Sequence, residues 1–366
     1  MNTVKKKRAS ITNVADYANV SIATVSRVLN KAPNILPATE KKVMLALKML
    51  DYTPNAQAQS LRGSCQDIFG FLLSPDIIKV DDFSLMLTVQ HLLAEVIFEK
   101  GYHLIPEKLE INSETGELIV PRILKQQRCC GCFLLGYMPP KNLKSLALEG
   151  IPVGLLGEVD VMPDNFFSID FDFESGMSQA VQYLSALGHR RIGFINGSLN
   201  YPGNRKKLNG LKQGLSEFAL DCDPELFFQL DDEQNFAGAR KATAVLLELK
   251  SPPSAICYGN DWMALGGMLE AESRGLNIPR DLSLIGFDNS FMAQQCRPSL
   301  TSISTDFRIM ADMAANALIK KVHNVKSKNV DNKKTLIPTK LIRRESCRVR
   351  SFMTIPHNTL LNNNLK

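Results

Sequence analysis

Apolar positions between Ile11 and Asn30, in ITNVADYANVSIATVSRVLN, recur every three or four residues in two short runs. Val14, Ala15 and Ala18 share one face, and Val25, Val28 and Leu29 share another. Val20 falls between the runs, Thr12 and Ser21 are placed to cap a helix N-terminus, and Asn19 suits a left-handed turn. The pattern predicts a helix-turn-helix. An ordinary amphipathic helix pair would show the same periodicity. A third helix over 38–50, led by Pro37 and carrying Val43, Ala46, Leu47 and Leu50 on one side, would complete a three-helix headpiece.

From Asp67 onward the pattern changes to short apolar runs separated by helical stretches, the mark of a parallel sheet with helices on both faces. Strands are predicted at 68–73, 102–105, 132–135, 153–156, 192–195, 255–258 and 284–287. Helices are predicted at 85–99, 174–187, 206–218, 237–249 and 262–274. A parallel strand pair needs such a crossover, and open sheets of this kind bind ligands beyond the carboxyl ends of their strands.

The chain has 366 residues and is 45% hydrophobic, enough for more than one domain. No run approaches the roughly 20 apolar residues of a membrane span, and the basic start lacks an apolar signal core. Eight cysteines without a secretion signal read as reduced thiols, and no disulfide is expected. Cys129, Cys130 and Cys132 lack the paired spacing and nearby His of a zinc site, so no metal and no cofactor is expected. Neither a phosphate loop nor a Ser-His-Asp set appears, and His189 reads as a loop residue before a buried strand. The expectation is therefore a protein that is not an enzyme.

Charge is unevenly placed. Over residues 1–62, seven Lys and three Arg stand against two Asp and one Glu, a net of +7, whereas the whole chain carries +6. The excess is confined to the segment bearing the helix-turn-helix, as phosphate contact requires. Lys5, Lys6, Lys7 and Arg8 read as a backbone-contacting arm.

These residues resemble the LacI/GalR family of bacterial transcription regulators. The likeness rests on VADYANVSIATVSRVLN, on Tyr52-Thr53-Pro54-Asn55, on AQAQSLR at 56–62, and on LSALGHRRIGFI, NDWMALGGM and LSLIGFDN further along. It implies a multi-domain α/β chain: a helix-turn-helix headpiece over 1–54, a hinge helix or linker over 55–65, a two-lobed, periplasmic-binding-protein-like core of doubly wound parallel sheets over 66–346, and a polar tail over 347–366. The first lobe would hold 66–166 and 300–324, the second 167–299 and 325–346. Lobe crossings would fall near Asn165 to Ser168, Pro298 to Ser302 and residue 324, and one last strand, about Leu336 to Arg343, would return to the second lobe.

Function follows from the same likeness: a sequence-specific regulator, most often a repressor, working as a cytoplasmic homodimer on a pseudo-palindromic double-stranded operator. Ile22, Ala23 and Arg27 would face bases, Thr24 and Ser26 would lie near phosphates, Asn30 would end the recognition helix, and Leu61 would wedge into the minor groove. A small metabolite, a carbohydrate or its derivative, would sit in the inter-lobe cleft against Arg205, Asn260, Asp261 and Asp288. Helix capping by Asp261 and a register slip from Arg205 to Lys206 or Lys207 stay open. Departures at Gly157, Glu158, Phe171, at 231–233 and across 76–83 leave the effector's identity open. The rival reading is a cytosolic solute-binding sensor that uses the cleft without reading DNA.

Overall fold

The computed structural model describes residues 10–29, 32, 35–50, 67–75, 84–157, 159–230, 236–323 and 334–350. The linker with Leu61, the arm with Lys5 to Arg8, Asn30, Glu158, and the segments 76–83, 231–235 and 351–366 lie outside the described residues. The chain divides into two compact units, residues 1–66 and 67–366.

In the first unit, α1 (Ile11–Ala18), α2 (Ile22–Leu29) and α3 (Pro37–Met49) bury Val14, Ala15, Ala18, Val25, Val28, Val43 and Ala46 in one small core. Ser10, not Thr12, caps α1: its hydroxyl accepts from the Asn13 N–H at 3.2 Å, while the Asn13 side chain accepts from the Ser10 N–H at 2.9 Å. Thr12 lies one residue inside the helix and is exposed. Ser21 caps α2 through the Thr24 N–H at 3.1 Å, and Asn19 takes φ 51°, the left-handed turn. A cap of this kind stabilises a helix by about 1 kcal/mol.

The second unit contains two six-stranded sheets. Strands β1 (Ile68–Leu73), β2 (His103–Lys108), β5 (Gly131–Leu135), β6 (Val153–Leu156), β7 (Phe166–Phe171) and β13 (Lys334–Ile337) form the first, in the order β13-β7-β6-β5-β1-β2, all parallel. Between β2 and β5 lie the small hairpin β3 (Glu110–Ile111) and β4 (Leu118–Ile119) and the short helix α5 (Arg122–Lys125). Helices α4 (Ser84–Glu99) and α12 (Phe307–His323) share one face of this sheet's core, with Leu93, Ile97, Ala314 and Leu318 buried. On the opposite face, α6 (Pro140–Ala147) buries Leu143 and Leu146.

The second sheet runs β14-β12-β11-β10-β8-β9, from β8 (Ile192–Gly197), β9 (Phe227–Leu230), β10 (Ala255–Tyr258), β11 (Ser283–Asp288), β12 (Thr301–Ser304) and β14 (Lys340–Ile342). Only β14 is antiparallel to its neighbour. Helices α7 (Phe173–Ala186) and α8 (Pro202–Glu217) cover one face, and α9 (Phe236–Glu248) and α10 (Asp261–Ser273) the other. The helix pair α7/α8 meets so closely at Gly210 that any side chain there would strike the Glu174 carbonyl. The short helix α11 (Phe291–Gln295) follows β11.

Lobe boundaries differ from the sequence expectation. Phe166–Phe171 is a strand of the first sheet and Thr301–Ser304 a strand of the second, so neither is a crossing. The crossings lie at Asp172, at Thr305–Asp306 and at Pro338–Thr339. The single last strand expected over 336–343 is two strands, one in each sheet, broken by Pro338, which has no N–H to carry a ladder onward. Asp172 ties two crossings together: its N–H donates to the Ile337 carbonyl at 2.9 Å, and its carbonyl accepts from the Thr339 hydroxyl at 2.9 Å.

The start of the expected polar tail is docked on the second lobe. The Arg348 N–H donates to the Ser283 hydroxyl at 3.3 Å and the Arg350 N–H to the Leu187 carbonyl at 2.8 Å. His189 helps to hold it. Its Nε2 faces the Arg348 carbonyl at 3.3 Å, which only accepts, so Nε2 carries the proton and Nδ1 accepts from the Ser254 hydroxyl at 2.9 Å.

Burial pushes His189 down to about 4 from 6.5, with the Arg350 charge adding to the fall and the hydrogen bond to Arg348 opposing it. The unfolded chain then takes up the proton first, so the stability contributed by neutral His189 is complete above pH 6.5 and is lost as pH falls toward 4. Urea unfolding across this range should show wild-type stability falling more steeply with acid than that of His189→Gln, by a slope approaching one proton. Parallel curves would contradict this.

Candidate functional site

Between the lobes, at the carboxyl ends of both sheets, lies a cavity of about 250 Å³. Its first-lobe wall includes Tyr137 after β5, Gly157 after β6, and Asp170 and Phe171 ending β7. Its second-lobe wall includes Tyr201 and Asn204 after β8, Lys207 on α8, Asn260 after β10 and Asp288 ending β11. Phe173 and Phe307, which follow two of the crossings, close one side. Phe307 packs edge-on against Phe171 at 5.2 Å, Phe171 lies 6.2 Å from Phe173, and Phe173 lies 5.6 Å from Phe287, so aromatic rings run from one lobe to the other.

Lys207 and Asp170 are buried charges of this cavity, and Lys207 is the cation. Its Nζ donates to the Gly259 carbonyl at 2.6 Å and stands 4.4 Å over the Phe287 ring and 5.0 Å from that of Phe173. Burial lowers its pKa, against the pull of the Asp288, Asp170 and Asp261 charges. A run of three basic residues concealed it in the sequence, because periodicity alone does not choose among Arg205, Lys206 and Lys207. Its neighbours point elsewhere. The Arg205 guanidinium pairs with Asp160 of the first lobe at 3.2 Å and donates to the Leu199 and Asn200 carbonyls at 2.8 and 3.1 Å, away from the cavity wall. Such an exposed pair contributes at most about 1 kcal/mol. Lys206 Nζ lies 3.8 Å from the Asp170 carboxylate, across the lobes.

Asp288 sits on a strained turn. Its φ is 98° and that of Asn289 is 55°, two successive residues in a region that side chains rarely adopt. The surrounding groups hold the turn. The Asn289 N–H donates to the Ser302 hydroxyl at 3.0 Å, the Asp288 carbonyl accepts from the Thr305 hydroxyl at 3.2 Å, and the Asn289 side chain pairs with Arg344. The effect is to hold Asp288 on the wall of the cavity.

Asn260 also lines the cavity, and it caps α10 by accepting from the Met263 N–H at 2.7 Å. Asp261 does neither. Fully inside the second lobe, its carboxylate accepts from the Ser302 hydroxyl and the Ser290 N–H, each at 2.6 Å. Burial and the Asp288 charge push its pKa up to about 7 despite those bonds. Its role is to brace the turn that carries Asp288. Of the four residues expected at the effector, Asn260 and Asp288 line the cavity and Arg205 and Asp261 do not, and Asp170 and Lys207 line it as well.

In the headpiece, Ile22, Ala23 and Arg27 are exposed on α2, and Thr24 and Ser26 are half-buried beside them. The Thr24 hydroxyl is 2.9 Å from that of Ser21, within the cap. Among the described residues no cluster of His, Cys, Asp and Glu could hold a metal, and no helix is long and apolar enough to cross a membrane.

Residues 10–55 match the family profile of bacterial regulatory proteins, lacI family, and residues 181–347 match a periplasmic binding protein-like domain. Over 338 residues the chain is 31% identical to catabolite control protein A of Priestia megaterium, spanning 92% of this chain and 98% of that protein. The chain belongs to the LacI family. It is also 30% identical over 319 residues to the HTH-type transcriptional repressor PurR of Escherichia coli, covering 86% of this chain and 91% of that one. The Lac repressor dimer bound to operator and the anti-inducer ONPF superposes with a TM-score of 0.73 at 25% identity, over 93% of this chain and all of that one. As a LacI-family member the protein is a DNA-binding transcription regulator with a ligand-binding core, and not an enzyme.

Asp261→Asn should cost about 1–3 kcal/mol, since an amide can accept only through its single oxygen and leaves a buried donor unmatched. Urea unfolding checks this, and a variant as stable as wild type would remove Asp261 from its bracing role.

Proposed function

We propose that the protein is a homodimeric repressor whose operator affinity is set by a neutral carbohydrate held between its lobes. The observation that carries the ligand class is the pairing of aromatic walls with polar groups drawn from both lobes. Asp170 and Asp288 accept from hydroxyl groups, Lys207 donates, and Asn260 and Asn204 offer amides. The cavity, at about 250 Å³, suits a single sugar ring. Hydroxyls bridging Asp170 of one lobe and Asp288 of the other would favour the closed arrangement over an open one, which shifts a population rather than building a new state.

Exposed apolar side chains support the dimer. Leu87 and Phe98 on α4 and Ile309 and Met313 on α12 are 57%, 72%, 44% and 36% exposed, on helices that pack side by side. Two headpieces related by a two-fold axis would read a pseudo-palindromic operator, with Ile22, Ala23 and Arg27 toward bases, and the protein would act in the cytoplasm where that DNA lies. Thr24 and Ser26 would sit near phosphates, and Asn30 and Leu61 are assigned to the DNA side by family likeness. The sensor without DNA reading is not favoured, because the headpiece belongs to the family's DNA-binding part.

Two measurements test this reading. Calorimetric titration with a panel of sugars and their phosphates should find a neutral sugar that binds wild type and at least about tenfold more weakly to Asp288→Asn, since one charge-assisted bond to a hydroxyl is lost. Binding only of phosphorylated compounds would contradict the ligand class. Arg27→Ala should cost about 1–3 kcal/mol at one base position of each half-site, read from binding to single-base operator variants. An equal loss on every sequence would make Arg27 a phosphate contact instead.

A further inference from the structure

The stretch Cys129-Cys130-Gly131-Cys132 leads from the turn after α5 into β5, far along the first sheet from the cleft-facing end of that strand. The Cys129 and Cys132 sulfurs are 3.6 Å apart. A disulfide needs about 2.05 Å, so the sulfurs stand in contact and must close by about 1.5 Å to bond. Cys132 is fully buried, and Gly70 on the adjacent strand keeps room for it: a Cβ there would stand 2.6 Å from the Cys132 sulfur. Cys129 is the outer thiol. Cys129 is itself buried, 9% exposed, and its access to water is through a separate cavity of about 300 Å³ that it lines together with the exposed Lys125, Gln127 and Glu149.

We propose that Cys129 and Cys132 form a dithiol that a hydroperoxide oxidises to a disulfide, and that the change reaches the strand with which the core begins. The two thiols are unequal in the sense this chemistry needs. The hydrogen bond from Cys132 lowers the Cys129 pKa, while that same bond and burial push Cys132 well up. The Cys129 thiolate attacks the outer peroxide oxygen, the O–O bond breaks, and a sulfenic acid results while the alkoxide, or hydroxide from hydrogen peroxide, leaves and takes up a proton to become the alcohol or water. The Cys132 sulfur then attacks the Cys129 sulfur, its proton leaves with the departing hydroxide as water, and the S–S bond forms. The sum consumes two thiols and one hydroperoxide and yields a disulfide, one water and one alcohol, or two waters from hydrogen peroxide.

Transmission runs through Cys130. Its N–H and its thiol both donate to the Ile68 carbonyl, at 3.0 and 3.3 Å. Ile68 opens β1, one residue after the core unit begins, and in sequence β1 directly follows the stretch joining it to the DNA-binding unit. Because Cys130 lies between the two sulfurs in sequence, drawing them together moves the backbone that holds Ile68.

Full-length protein treated with hydrogen peroxide, denatured, alkylated and cut with trypsin gives one peptide, residues 129–141, with all three cysteines. The expected peptide carries one alkylated cysteine and a disulfide, two alkyl groups lighter than the reduced control with three, and dithiothreitol before alkylation restores the control. Cys130→Ser should keep this bond, and Cys129→Ser and Cys132→Ser should lose it. Cys132→Ala, which puts no hydroxyl in the core, keeps the test readable if the serine variant does not fold. Operator affinity of the oxidised protein should differ by about fivefold or more from the reduced form, a shift absent in Cys129→Ser. Oxidation of exposed Cys222 while Cys129 and Cys132 stay as thiols would overturn the site. A disulfide that leaves operator affinity unchanged would overturn its transmission.

Discussion

An ammonium kept from water between two lobes sets the terms for the rest of the core. Lys207 cannot stay charged there without partners, and it finds them in the Gly259 carbonyl, the Phe173 and Phe287 rings, and the Asp170 and Asp288 carboxylates. Asp170 comes from the first sheet and Asp288 from the second. Both lobes thus contribute to the charge balance of the cavity. In the proposed reading a ligand with hydroxyl groups joins this arrangement, because it can donate to both carboxylates and accept from the ammonium.

Strain is placed where that balance is made. The Asp288 turn adopts backbone angles that cost on the order of 1–3 kcal/mol, and it is held by partners from outside its own strand: Ser302 and Thr305 on one side, Asp261 on the other. Two of the three crossings are pinned to each other through Asp172 and Thr339, and the third, through Thr305, bonds the Asp288 carbonyl. In the proposed reading, ligand, strained turn and crossings form one mechanical unit, and lobe closure is the coordinate along which occupancy is passed on.

Strands made of unbroken apolar runs, such as IFGFLL, VGLL and AICY, could be read from hydropathy because both their faces are buried. FFSIDF and TSIS could not, since Ser168, Asp170 and Ser302 sit inside them and are buried nonetheless. Those polar groups have partners distant in sequence: Ser302 donates to Asp261, 41 residues away. The same separation explains the site. Asp288 and Asn260 were legible from the rule that ligands lie past strand ends, whereas Asp261 is turned inward by a strand that local sequence does not reveal. Lys207 was hidden within Arg205-Lys206-Lys207, where only the packing of α8 decides which side chain faces the cavity. Thr12 was misplaced by one helix start, because Asn13 in the reciprocal cap replaces the usual Glu or Gln.

The central claim is that occupancy of the cavity governs DNA reading. The most direct test is selection of bound duplexes from a random pool by full-length protein at fixed salt, with and without a sugar that binds the cavity. A two-fold symmetric motif whose enrichment changes with the sugar, and no longer does so in a variant with a defective cavity, is the predicted result. A motif enriched equally with and without every sugar that binds would contradict the account.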